Sequence, residues 1–555
     1  MMKSTGAQVL IKTLIEQGVD TVFGYPGGAV LHIYDELYKA SDKITHYLTA
    51  HEQGATHAAD GYARATGKTG VVFATSGPGA TNLITGIATA YLDSTPLVAI
   101  TGNVATSLIG KDSFQEVDIT GVTMPITKHN YIVKNVDRLA DIVKEAFVIA
   151  NTGRPGPVLI DIPKDIQMAV TEYNPAPIEK QGKVYNNGKE AFIKALDIIE
   201  KSKKPFIYAG GGVVISDASE ELALFAERID APIGSSMMGL SAIDADNPRF
   251  LGMTGMHGRF AASKVMSESD LIIAIGTRFS DRATGNKKEF CKGRKIIHID
   301  IDPAEIGKNV PVYVSLIGDV KTILRKLLER VTELSKPDWR KKVEEIKNCP
   351  DSHLEMDKSR LNPQTIIESV NKITDKDTLI ATDVGQHQMW TAQYYKFAKP
   401  RTFITSGGLG TMGFGLGAAV GACIGTGRKT VLFTSDGCFH MNMNELCTAV
   451  TYKLPIVIVL FNNNALGMVR QWQTLFFEKR YSNTTLNRKT NYIALAEAFG
   501  AKAKKITDIN EIDDTLKWAF SQQGPVLIEA VIDSDEKVLP MIPPGGTIND
   551  IILKG

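Results

Sequence analysis

The chain has 555 residues, 43% hydrophobic and 22% charged, with a formal net charge of +1, a composition that predicts an ordinary globular protein with core enough for two to four domains. No basic excess points to nucleic acid or a membrane surface, and no apolar run is long enough to span a bilayer. The five cysteines form no C-x-x-C pair, so neither a zinc knuckle nor a disulfide framework is expected, and a cytoplasmic location fits.

The N-terminal "MMKSTGAQVLIKTLIEQG" reads directly as an amphipathic helix, without signal or transit character. "HEQGATH" carries His51 and His57 at a spacing that does not share a helix face, which suits packed or surface histidines. Two later segments share one pattern: "GVVFATSGPGATNLITGIATAYLDSTPLVAITGN" from Gly70, and "KTVLFTSDGCFHMNMNELCTAVTYKLPIVIVLFNNN" from Lys429. Each runs strand, polar Gly turn, helix of about three turns, Pro-containing break, strand. That βαβ unit, used twice, predicts related parallel-sheet domains with functional loops at the carboxyl ends of the strands.

Between them, "KKPFIYAGGGVVIS", "DLIIAIGTRFSD" and "KIIHIDIDPAEIGKN" predict a third α/β domain. A polar, Pro-bearing joint at 171–188 and a charged stretch at 335–363, partly helical on the surface, separate the three. The expectation is an α/β chain of three domains, each a parallel sheet flanked by helices, at 1–175, 190–335 and 365–535. A tail at 536–555 folds over a neighbouring surface.

Gly408, Gly410 and Gly413 match G-x-G-x-x-G, with Asp436 at a suitable distance, which taken alone suggests a nicotinamide dinucleotide site. In a chain with 49 glycines that pattern is weak. Asp436 closes one apolar strand and Asn462, Asn463 and Asn464 close the next. If the strands are neighbours, a carboxylate, an amide oxygen and a backbone carbonyl converge on one cation. Hard oxygen ligands with positions left for phosphate describe magnesium, and a helix starting near Met441 would point its positive end at the same anion. Asp436 as a helix cap and the Asn run as a turn is the plainer alternative.

The "SDG…NN" pattern resembles the thiamine diphosphate motif, whose usual first residue is Gly where Ser435 stands. The resemblance extends along nearly the whole chain, to the catalytic subunits of the acetohydroxyacid synthase (acetolactate synthase) family. "FGYPGGAVLHIYDEL", "HEQGATHAADGYARATGK", "SFQEVDITG", "TGRPGPVLIDIPKDIQ", "GTRFSDRATGN", "DVGQHQMW", "TSGGLGTMGFGLGAA" and "GMVRQWQ" carry it, in that order. It implies thiamine diphosphate bound between the N-terminal domain of one subunit and the C-terminal domain of another, in a homodimer or tetramer with a small regulatory subunit.

By the same resemblance Asp436, Asn463 and the backbone oxygen of Ala465 hold Mg²⁺. Gln386, His387, Gly410, Met412, Gly437, Cys438 and Met468 line the cofactor, with Met412 as the apolar wedge that bends it. Glu52 serves the pyrimidine nitrogen, and Gln115 and the backbone at Gly28 are candidates for holding an oxyanion. The middle domain resembles the family's FAD domain, with a non-redox flavin at Arg154, Gly210, Gly211, Gly212, His257, Gly276, Arg278, Asp281, Arg282, Asp300 and Asp319. Trp472 is the expected wall for the second substrate and Arg282 a carboxylate partner.

The implied activity condenses pyruvate with pyruvate or 2-oxobutanoate. Alternatives are another flavin-bearing thiamine enzyme, such as a pyruvate oxidase, and an inactive cofactor-binding paralogue. Glyoxylate carboligase should lack the Glu found at position 52. Four further departures from the family pattern are Asn103 for Gln, Ala105 for Pro, Ser280 for Asp and Gly417 for Pro.

Overall fold

The computed structural model describes residues 2–175 and 188–554. Most of the polar joint expected at 171–188 lies outside the described residues. The first domain holds β1 (Met2–Thr5), β2 (Thr21–Gly24), β3 (Thr45–Leu48), β4 (Gly70–Ala74), β5 (Leu97–Asn103), β6 (His129–Ile132), β7 (Pro157–Pro163) and β8 (Val170–Tyr173). Its parallel sheet has the order β3-β2-β4-β5-β7-β6. The central strands are buried along their whole length, as strands covered by helices on both faces must be.

The first residues depart from the expected helix. Residues 2–5 form β1, which pairs antiparallel with β8, and the helix Gly6–Glu16 begins only after Thr5 caps it. Thr5 accepts the N–H of Gln8 while the Gln8 side chain accepts the N–H of Thr5, so the helix cannot extend through Thr5.

The middle domain contains β9 (Pro205–Ala209), β10 (Ile233–Ser235), β11 (Phe250–Met253), β12 (Leu271–Ile275), β13 (Lys295–Asp300) and β14 (Val314–Ile317), in the order β11-β10-β9-β12-β13-β14. All six strands are parallel, the order of strand addition reverses between β9 and β12, and a ligand crevice is expected at such a switch point. The third contains β15 (Leu379–Thr382), β16 (Phe403–Ile404), β17 (Thr430–Ser435), β18 (Ile456–Asn462), β19 (Lys502–Ile506) and β20 (Val526–Val531). Its order, β16-β15-β17-β18-β20-β19, repeats that of the first domain strand for strand. The two segments of matching pattern, β4 to β5 and β17 to β18, occupy equivalent places.

Each βαβ helix is broken in two: Pro78–Asn82 with Ile84–Asp93, and Asp436–Asn442 with Glu445–Thr451. The helix expected near Met441 therefore starts at Asp436, because Ser435 caps it by accepting the N–H of Cys438 at 3.3 Å. The charged stretch at 335–363 includes the helix Pro337–Lys347, which buries Trp339, Val343 and Ile346. The C-terminal tail lies against the middle domain, where Ile542 donates to the Met256 carbonyl at 2.8 Å and the Gly546 carbonyl accepts from Asn286 at 3.1 Å.

The outer domains meet through the helices Glu52–Thr66 and Phe414–Thr426, whose buried faces are mostly Ala and Gly. Small residues let the two backbones touch, and the apolar core runs continuously across the contact. Gly417 has no room for a side chain: a β-carbon would lie 2.8 Å from that of His57.

Candidate functional site

Two half-sites form at the carboxyl ends of the two equivalent sheets. In the third domain β17 and β18 are adjacent and parallel, with Ser435 paired to Phe461, so Asp436 and Asn463 follow neighbouring strand ends. Asn464 adopts a left-handed φ of 51°, a conformation Asn tolerates better than most residues. That turn carries the chain from the Asn463 amide to the Ala465 carbonyl. It is held by Leu486, which donates to the Asn464 carbonyl at 2.7 Å, and by a β-bridge from Ala465 to Thr485.

Asp436 is 2% exposed, and its Oδ1 has no hydrogen-bond partner among the described residues. Burial pushes its carboxyl up to about 7. An orphaned buried carboxylate oxygen beside an amide and a turn is the donor set a hard divalent cation needs, so the residues present fit magnesium. Arg488 donates to the Asp436 carbonyl at 3.2 Å, adding positive charge beside the place where phosphate oxygens are expected.

Around this centre, Gln386 and His387 open the helix Gln386–Tyr394 just beyond β15. The Asn463 side chain donates to Gln386 Oε1 at 3.5 Å. The Gln386 amide itself donates to Gln471 at 3.1 Å and to the Glu536 carbonyl at 2.7 Å, so it also ties down the tail. His387 is fully buried with Nε2 unpartnered, and burial lowers it to about 3, leaving a neutral ring. A β-carbon on Gly437 would meet Leu466 at 3.0 Å, Leu486 at 3.7 Å and the Met412 methyl at 3.8 Å. Met412 therefore stands over the start of the Asp436 helix with an apolar floor around it. Cys438, next to Gly437, donates its thiol to the Val384 carbonyl at 3.1 Å, and burial raises its pKa. Gly410 has φ of 73° in the exposed loop before Met412, and Met468 is half-buried in the helix Gly467–Phe476 that follows Ala465.

The first-domain half-site gathers on the loop after β4. Glu52 opens its helix behind the cap His51, and its Oε2 accepts from Asn82 at 2.9 Å. Burial, and then the charge of Glu52, raise the pKa of Tyr34. Thr75 accepts the N–H of Ala29 at 3.3 Å, next to Gly28, which begins an exposed turn. Gln115 sits in a left-handed conformation (φ 59°), and Gly77 must lack a side chain because a β-carbon there would meet Gln115 at 2.8 Å. Gly28 beside Thr75, Gln115 against Gly77, and Glu52 beside Gly79 and bonded to Asn82 thus gather around one loop of the first domain.

In the middle domain, Gly210 follows β9 and Gly276 follows β12, at the switch point. A β-carbon on Gly212 would lie 2.6 Å from the Gly276 Cα, so the two loops are in backbone contact and form a glycine cradle at the place where such sheets take a pyrophosphate. Gly211 starts the short helix there. Arg154, which donates to Ser94 of its own domain at 2.7 Å, reaches Glu305 of the middle domain at 3.0 Å. Arg278 is lowered by burial, and then by Arg154. His257 is buried with Nδ1 unpartnered and lowered by burial to about 4, while burial raises Asp300 to about 6. These residues fit a dinucleotide. Asp319 caps the helix Val320–Leu328 and accepts from the hydroxyl of Ser216, which ends the short Gly211 helix, whereas Asp281 is exposed beside Arg282. Arg282 instead lies over the Trp472 ring at 5.6 Å, joining the middle and third domains near the site.

Several residues of the site were not singled out in the sequence. Asp383, fully buried, accepts from Gly413 (2.9 Å), Gly415 (2.8 Å) and Thr434 (2.6 Å), fastening the Met412 loop to β17. Its signal is the one that marked Asp436, an acid where a buried strand breaks. Gln471, which holds both Gln386 and Val538, and Asn82, which holds Glu52, carried no such mark.

Residues 4–122 match the N-terminal TPP binding domain of thiamine pyrophosphate enzymes, 192–327 the central domain and 383–530 the C-terminal TPP binding domain. The chain is 47% identical to a probable acetolactate synthase large subunit of Methanocaldococcus jannaschii, over 99% of this chain and 95% of the relative. It is 45% identical to the acetolactate synthase large subunit of Haemophilus influenzae, over 100% and 99%. It is also 45% identical to the isozyme 2 large subunit of Escherichia coli, over 99% of each. With three thiamine pyrophosphate enzyme domains and such identity end to end, the chain belongs to the acetolactate synthase large-subunit family.

Proposed function

We propose that this chain is the catalytic subunit of an acetolactate synthase of branched-chain amino acid biosynthesis. It removes CO₂ from pyruvate and joins the remaining two-carbon unit to pyruvate, giving 2-acetolactate, or to 2-oxobutanoate, giving 2-aceto-2-hydroxybutyrate. The observation that carries the reading is the buried, unpartnered Asp436 oxygen facing the Asn463–Ala465 turn under Met412. Asp436, Asn463 and the Ala465 carbonyl would hold Mg²⁺. Gln386, His387, Gly410, Gly437 and Met468 would line thiamine diphosphate. When bound, that cofactor supplies the nucleophilic carbon and the electron sink for decarboxylation.

The remaining roles belong to the chain itself. Glu52, oriented by Asn82, holds a proton at the pyrimidine nitrogen. The Gln115 amide and the backbone N–H at Gly28 face oxygens that gain charge. Trp472 and Arg282, in contact with one another, bound the acceptor and pair with its carboxylate. FAD in the middle domain has a structural, non-redox place.

Glu52 and Asp436 belong to active sites formed between two copies. Exposed apolar residues support this: Phe114 (87% exposed), Met124 and Leu48 flank the first half-site, and Met441, Val469 and Phe477 flank the second. The relatives' designation as large subunits supports a small regulatory partner.

The test is product analysis of the purified chain with Mg²⁺, thiamine diphosphate, FAD and pyruvate. Acetolactate that depends on the metal and thiamine diphosphate is expected. Acetyl phosphate or acetaldehyde in its place means another thiamine enzyme, and bound cofactor without product means an inactive paralogue.

A further inference from the structure

The loop 406–413, which carries Gly410 and Met412, is fastened from outside by the first domain of the same chain. Asp93 ends the helix Ile84–Asp93, and its side chain is fully buried. Its Oδ1 accepts the N–H of Gly408 at 2.6 Å and its Oδ2 that of Gly407 at 3.0 Å. Oδ2 also accepts from Arg64 at 3.0 Å. The same guanidinium pairs with Asp60, donates to the Thr405 carbonyl at 2.8 Å and lies 5.2 Å from the Phe414 ring centre. One helical turn before Asp93, the Thr89 and Thr411 hydroxyls are 2.7 Å apart. Residues four apart on a helix share a face, so Thr89 and Asp93 grip the loop on both sides of Leu409 and Gly410.

This contact accounts for the glycines. A β-carbon on Gly408 would lie 2.8 Å from Asp93 Oδ1 and 2.9 Å from the Leu92 carbonyl, and one on Gly407 would lie 2.5 Å from the Met238 sulfur. Gly408 is required for close approach to Asp93, and the G-x-G-x-x-G spacing is incidental to it. Hydrogen bonds from backbone N–H to a carboxylate are among the stronger kind, and Arg64 compensates the buried charge.

We propose that Asp93, aided by Thr89, is a positioning residue for catalysis: it sets the height of Gly410 and Met412 over the cofactor. This rests on the reading that the loop faces thiamine diphosphate. A misplacement of about 1 Å at such a site can cost roughly a hundredfold in rate. A contact that only docks two domains would change melting and leave turnover alone.

The test uses Asp93→Asn, Thr89→Val and Thr89→Ser in the full chain with Mg²⁺, thiamine diphosphate and FAD, and Met412→Ala in parallel. The readings are kcat, KM for pyruvate, thiamine diphosphate affinity by tryptophan fluorescence, and near-ultraviolet circular dichroism of the bound cofactor. Asp93→Asn is expected to lower kcat about ten- to a hundredfold and to alter the dichroism, with KM and cofactor affinity little changed. Thr89→Val is expected to lower kcat less, and Thr89→Ser to restore it. If Asp93→Asn and Thr89→Val lower the melting temperature but leave kcat and dichroism unchanged, while Met412→Ala impairs turnover, the positioning role is wrong. If Met412→Ala also leaves turnover unchanged, the reading of the loop itself is wrong. Should Asp93→Asn fail to fold, the Thr89 pair decides alone.

Discussion

Gly421 lies directly against the carbonyl of Ala58, so close that a β-carbon on Gly421 would overlap the Ala58 oxygen. Gly61 stands in the same relation to the Ala418 carbonyl one turn away. The helices Glu52–Thr66 and Phe414–Thr426 therefore cross with their backbones in contact, and that crossing sets the distance between the outer domains. Gly421→Ala should separate them at a cost of about 1–3 kcal/mol or more, seen as a lower melting temperature. Wild-type melting would show that the helices slide apart without penalty.

Glu52→Gln should still bind thiamine diphosphate but lose most turnover, about a hundredfold or more, because an amide cannot exchange the proton. Cofactor binding by fluorescence and acetolactate formation separate the two effects. Near-normal turnover would remove Glu52 from the chemistry.

Asp436→Ala should raise the magnesium and cofactor concentrations needed for activity well above those of the wild type, since it deletes the one charged oxygen of the proposed metal set. Asn464 tests the turn beside it. A non-glycine residue in the left-handed region costs roughly 1–2 kcal/mol, so Asn464→Val should weaken magnesium-dependent cofactor binding and Asn464→Gly should not. Equal binding by the two variants would mean the turn does not aim the ligands.

Trp472→Ala should keep acetolactate formation but lose preference for 2-oxobutanoate over pyruvate. The two acceptors differ by one methylene, which a flat apolar wall can discriminate by roughly ten- to two-hundredfold. The reading is the ratio of acetohydroxybutyrate to acetolactate with both acceptors present. An unchanged ratio with both rates reduced would make Trp472 a structural residue.

Asp161 offers a pH test away from the proposed metal. It is buried beneath the Thr101 hydroxyl (2.7 Å) and the Asn103 amide (2.5 Å), and burial raises it from 3.8 to about 7. The folded state therefore holds this proton more tightly than the unfolded chain. The contribution of Asp161 to stability is greatest at low pH, falls as pH rises from about 4 to about 7, and then levels. Asp161→Asn cannot titrate, so the melting difference, wild type minus variant, should decrease from pH 4.5 to 8. A constant difference would mean the carboxyl stays ionised throughout.

Asp436 and Asn463 were legible in the sequence because each ends a short apolar β-branched run, where the chain must leave the sheet and a buried polar group needs a partner. The three α/β domains were legible for the same reason, a hydrophobic period that switches between strand and helix. The start of the Asp436 helix was misread because Ser435, one residue outside the apolar pattern, caps it.

Tertiary structure alone decided which distant residues meet. Asp93 and Gly408 are separated by more than half the chain, and no local pattern shows that a carboxylate will accept those two N–H groups. Asp383 and Gln471 hold the loop and the tail through partners far away in sequence. That Asn82 holds Glu52 is likewise set by packing within the first domain rather than by any local pattern. Hydrophobic periodicity is a local property that the sequence carries in full, whereas hydrogen-bond partnership across domains exists only once the backbones have closed to contact.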